Sequence, residues 1–61
     1  MRASLVVGLN KACVPCIEMG LRRARDLGLD WREVYRREAG WAATMPGWPP
    51  PPPLELLRVE D

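Results

Sequence analysis

Apolar positions fall into three blocks with different spacing. Leu5, Val6, Val7 and Leu9 form a short run broken only by Gly8. Two valines in a run without alternation predict a strand over Ser4–Leu9, covered on both faces as in a parallel sheet. Val14, Ile17, Leu21, Ala24 and Leu27 recur three and four residues apart, which predicts a helix from Val14 to Leu27 with one apolar face. Glu18, Arg22, Arg25 and Asp26 lie largely elsewhere on it, and Glu18 and Arg22 make a favourable acid-then-base pair. Pro15 is tolerated in the first turn, Gly28 is a natural stop, and Gly20, which costs about 1 kcal/mol relative to Ala, suits close approach of the helix to a sheet. Leu29–Tyr35 alternates imperfectly: Leu29, Trp31, Glu33 and Tyr35 share one parity, Arg32 and Val34 the other. Trp, Val and Tyr favour a strand there. Strand, helix and strand over 1–35 make a βαβ unit with a right-handed crossover. Beyond it, residues 36–61 form a reduced C-terminal part. Arg36–Ala43 fits a short helix or a loop, and Met45–Pro49 is turn chemistry. Pro49–Pro53 is an extended polyproline II segment. Leu54–Val59 fits a last strand or a helical turn, with Glu60 and Asp61 frayed.

Composition narrows the class. Sixty-one residues make one domain that buries only a modest share of its surface. With 48% apolar residues and no Phe, the core is small and aliphatic. Nine basic against eight acidic residues leave no dominant footprint for nucleic acid. Arg22, Arg23 and Arg25, and again Arg32, Arg36 and Arg37, are interrupted by Asp26, Glu33 and Glu38. That is a mixed-charge solvated face or, more sharply, a weak site for an acidic partner. No apolar run approaches the ~18 residues of a membrane span. The opening stretch is too short for a signal-peptide core and lacks a small-residue cleavage site. The expectation is a cytoplasmic protein, and in a reducing compartment two close cysteines point to catalysis or metal more than to a structural staple.

Those cysteines are Cys13 and Cys16, in Cys13-Val14-Pro15-Cys16, where the helix should begin. A helix start offers unpaired N–H groups and a positive dipole end, which favour a thiolate at Cys13. Pro15 has no N–H, so the donors narrow to Val14 and Cys16. Lys11, two residues upstream, adds a positive charge, and the chain has no histidine to act as base. Cys13 is then the nucleophile and Cys16 the resolving thiol. The C-x-x-C gains weight from following a strand and opening a helix. Three alternatives remain open. Zinc needs about four ligands and would draw on carboxylates or a second chain. A structural disulfide closes a tiny loop, where the entropic gain is smallest. The spacing of two core thiols could also be chance.

From Leu5-Val6-Val7 through Lys11-Ala12-Cys13-Val14-Pro15-Cys16 to Leu27–Val34, the first half of the chain resembles the glutaredoxin family, closest to the small glutaredoxin-like electron donors of ribonucleotide reductase. The resemblance implies an α/β, minimal thioredoxin/glutaredoxin-like fold. It also implies thiol-disulfide oxidoreductase activity on protein disulfides and an external reductase. Gly40-Trp41-Ala42-Ala43-Thr44-Met45-Pro46 is similar to that family's stretch before a cis-proline. By that likeness Pro46 is cis and Met45 presents its backbone to substrate; a plain turn proline is the other reading. The chain departs from the family in its five consecutive prolines, a short Val34–Pro46 interval, and Lys11 lying one residue nearer the cysteine. The glycine-rich, acidic glutathione-binding segment is not visible, so no cofactor is expected. A dimer or partner completing the fold is plausible.

Trp48 with Pro49–Pro53 has two readings. One is a ligand for an SH3- or WW-type groove, making the chain a non-catalytic interaction module. The other is a stiff segment packing Trp48 over the core.

Overall fold

A computed structural model describes residues 4–60. Two α-helices form its frame: α1, Val14–Asp26, and α2, Trp31–Ala42. Short 3-10 turns at Leu9–Lys11 and Leu54–Leu56 complete the regular structure. Among the described residues there is no strand, so the α/β expectation and its βαβ unit are overturned.

The first helix follows its apolar spacing. Ile17, Leu21 and Ala24 are fully buried, whereas Leu27, expected on the same face, is 64% exposed. It lies past the last helical residue, where the chain turns away. Gly28 adopts φ +84°. Its N–H donates to the Arg25 carbonyl at 2.9 Å, and that of Leu29 to the Ala24 carbonyl at 3.0 Å. This is the paired-bond helix stop that glycine favours.

Residues 29–35 are not a strand. Asp30, itself extended, starts α2: its carboxylate accepts the Arg32 N–H at 3.2 Å and caps the helix. Such a cap contributes about 1 kcal/mol. Trp31, Val34, Tyr35 and Ala42 are buried along α2 at helical spacing, while Leu29 is exposed. The β preference of Trp, Val and Tyr has no effect where no neighbouring strand exists to receive it. The helix also runs across the boundary expected between 1–35 and 36–61.

The Ser4–Leu9 strand is likewise absent. Leu5 and Val6 donate their N–H groups to the Glu38 carboxylate at 3.1 and 3.2 Å, and the Ser4 hydroxyl also donates to it. One carboxylate on α2 thus replaces a neighbouring strand as acceptor. Val6 is buried and Val7 is 57% exposed, so the run is covered on one side only. This segment, here called the strap, crosses α1 at Gly20. A Cβ there would stand 2.2 Å from the Leu5 carbonyl oxygen. The close approach suspected at Gly20 is real, but its neighbour is the strap, not a sheet. Leu5 and Val6 bridge positions about equally far from the turn between the helices, which therefore run back alongside each other.

The C-terminal part wraps the other side. Tyr35 donates its hydroxyl to the Pro52 carbonyl, and burial raises the pKa of that phenol. After the Leu54–Leu56 turn an extended tail lies across both helices, with Leu57 and Val59 buried. Glu18 accepts the Arg58 N–H at 2.7 Å, Arg22 donates to the Arg58 carbonyl at 2.5 Å, and Arg25 donates to that of Val59. The expected Glu18–Arg22 pairing is replaced by these main-chain contacts. Glu60 is held rather than frayed. Arg32 donates to its carboxylate at 2.9 and 3.4 Å, and the Trp31 indole at 3.2 Å. Asp61 lies outside the described residues.

Arg32 and Trp31 hold the Glu60 carboxyl below its ordinary pKa. A lowered folded-state pKa means that this contact stabilises fully above the unfolded value and is lost as pH falls through the folded one. Acidification through the carboxylate range should therefore release Glu60 from Trp31. The expected readout is a change in Trp31 fluorescence, reversed on neutralisation and absent in Glu60→Gln.

Candidate dithiol site at the start of the first helix

The chain enters α1 through a compact loop built on Gly8. Gly8 has φ +91°, a conformation open to glycine. Its carbonyl accepts two N–H groups, from Lys11 at 3.1 Å and Cys13 at 3.0 Å. Ala12 is also left-handed, φ 52°, at a cost of roughly 1–2 kcal/mol for a residue with a Cβ. The loop delivers Cys13 to the N-cap of α1 and places Cys16 one turn on.

The two cysteines are joined as a disulfide with a Cα–Cα distance of 5.3 Å. Both are half-buried. Gly8 is packed directly against the pair: a Cβ built there would stand 2.7 Å from the Cys16 Cβ and 3.3 Å from that of Cys13. No side chain caps the helix start, and its first turn holds no acidic residue. Val14 and Cys16 therefore keep first-turn N–H groups that no carboxylate has claimed. Pro15 occupies the second position of the helix, where its missing N–H costs nothing.

The supporting residues are distributed unevenly. Lys11 lies in the 3-10 turn and is exposed, Val14 packs partly into the core, and Pro15 is exposed. Met45 and Pro46 do not take the family-like role. No peptide bond among the described residues is cis, so Pro46 is a turn proline. Met45 uses its N–H on the Ala42 carbonyl at 3.0 Å, and its own carbonyl accepts from Trp48 at 3.4 Å. Both groups thus take part in the local turn. Met45 lies in the turn after α2, which ends at Ala42 with Ala43 as its C-cap, and Trp48 stacks edge-on to Trp41 with centroids 5.4 Å apart while packing against the core.

Gly8, which lies against the pair, and Glu38, which holds the chain leading to Gly8, are not among the expected site residues. Gly8 falls inside the run expected as a strand, and Glu38 reads as one charge on a mixed face. Gly8 carried a signal, since a glycine closing an apolar run five residues before a C-x-x-C marks a turn. Glu38 carried none, because its partners are backbone groups more than thirty residues away.

Among the described residues, no group of three or more Cys, His, Asp or Glu side chains could hold a metal ion. No helix among them is long and apolar enough to cross a membrane. No protein-family model matches this chain, and no curated protein or solved structure matches it.

Proposed function

We propose that the chain is a small thiol-disulfide oxidoreductase whose working couple is Cys13–Cys16, carried on a two-helix frame. The observation that supports this best is the helix start itself. It is free of acid and side-chain caps, with one sulfur at the N-cap and its mate one turn on. In the dithiol form the N–H groups of Val14 and Cys16 and the positive dipole end favour a Cys13 thiolate. Lys11 adds positive charge nearby.

The cycle balances as two exchanges. The Cys13 thiolate attacks one sulfur of a substrate disulfide, forming a mixed disulfide and expelling the other sulfur as a thiolate that takes up a proton. The Cys16 thiolate then attacks the Cys13 sulfur, forming Cys13–Cys16 and releasing the second substrate thiolate. Two electrons pass from the protein dithiol to the substrate, and an external dithiol reductase returns them. Such a cycle suits the cytoplasm, where thiols are kept reduced.

The interaction-module reading gains no such support. The Pro52 carbonyl is engaged by Tyr35, and Trp48 packs on the core, so this segment is used within its own fold.

Mixing the reduced protein with excess insulin should release two insulin thiols per chain and leave the chain in its disulfide form. Release of no thiols would end this reading.

A further inference from the structure

The Cys13–Cys16 pair does not stand alone on its helix. Gly8, near the end of the strap, closes the space beside Cys16 so tightly that no Cβ fits. The Gly8 carbonyl also fixes the Cys13 N–H. Five residues of chain, Ser4 to Gly8, link this contact to Glu38, whose carboxylate holds the N–H groups of Leu5 and Val6 and the Ser4 hydroxyl. The strap therefore has two anchorages, one on the carboxylate and one on the bonded sulfur pair.

Resting on the redox reading above, we infer that Glu38 is a positioning residue that sets the redox poise of Cys13–Cys16 through the strap. The docked strap favours the disulfide, and reduction loosens the strap. The physical reason is space. When the S–S bond accepts two electrons and two protons from a dithiol reductant, two thiols replace one bond. Their sulfurs must separate from about 2 Å to van der Waals contact, which requires a cysteine side chain to rotate. Beside the Cys16 Cβ the space is already closed by Gly8, where a Cβ would stand at 2.7 Å. Each thiol conformer that needs this space competes with the docked strap. By linkage, whatever holds the strap down disfavours the dithiol to the same extent.

The test uses the full chain in glutathione redox buffers together with amide hydrogen exchange. Glu38→Ala should shift the equilibrium toward the dithiol by at least about fivefold. Glu38→Gln, which removes the charge but keeps an acceptor oxygen, should recover much of that shift. Arg32→Ala, which loosens the tail instead of the strap, should leave the equilibrium unchanged. In the unmutated chain, reduction with a phosphine should speed exchange at Leu5 and Val6 and leave the Val34 amide as it was. Equal exchange at Leu5 and Val6 in both redox forms, or equal shifts in Glu38→Ala and Arg32→Ala, would overturn the coupling. The two readings separate cleanly. If phosphine reduction loosens the strap but no protein disulfide is turned over, the coupling stands and the electron-carrier reading falls. If disulfides are turned over and the strap is unmoved, the reverse holds.

Discussion

Cys13→Ser should abolish disulfide reduction while the chain stays folded. The substitution removes the sulfur at the helix N-cap, and a serine hydroxyl neither ionises near neutral pH nor exchanges with disulfides. Folding should persist because serine is itself a favoured N-cap residue and the lost cross-link closes a loop of only a few residues. Cys16→Ser should behave differently. Its Cys13 can still attack but nothing resolves the product, so a mixed disulfide with substrate should accumulate and be visible as an added mass. Insulin turnover and intact mass measured on both variants check this. Full turnover by Cys13→Ser would contradict the two-thiol cycle, and trapping by Cys13→Ser in place of Cys16→Ser would reverse the assigned roles.

Gly20→Ala should be among the most destabilising alanine substitutions in the chain, although alanine is the better helix former by about 1 kcal/mol. The new methyl would lie 2.2 Å from the Leu5 carbonyl oxygen and 3.2 Å from the Val6 Cα. Both are backbone atoms, so no side chain can swing aside. Either α1 shifts or the strap lifts off with its buried Val6. Overpacking of this kind costs about 1–3 kcal/mol or more, a large fraction of what a 61-residue domain has to lose. Gly40 is the matched control. It lies on the exposed side of α2 with nothing within 4 Å of an added Cβ. Gly40→Ala should stabilise by up to about 1 kcal/mol. Thermal unfolding of the two variants should move in opposite directions.

The parts of this fold legible in the sequence are those with local causes. The first helix, its start at Val14 and its stop at Gly28 follow from apolar spacing and the glycine. The extended proline run and the turn after Thr44 follow from proline chemistry in the same way. The second helix is obscured by the β preference of Trp31, Val34 and Tyr35, which outweighs helical spacing in a stretch that ends at Tyr35. Asp30 followed three residues later by Glu33 is a helix-start pattern, and extending the stretch to Ala42 shows the helical spacing. The strap and the tail were not legible, since both are held by side chains distant in sequence, Glu38 for one and Glu18, Arg22 and Arg25 for the other. A short apolar run looks like a strand whether its N–H groups meet another strand or a carboxylate. The cysteine pair was legible because its spacing is itself the chemistry. The fold inferred around it was not, because a helix opened by C-x-x-C is compatible with more than one frame.

The account depends on a Cys13 thiolate favoured by the start of α1. The rate of Cys13 alkylation in reduced Cys16→Ser, followed against pH, measures this directly. The expected titration midpoint lies clearly below the ordinary thiol value of about 8.5. A midpoint at or above that value would mean that the helix start does not activate this sulfur, and the proposed chemistry would lose its nucleophile.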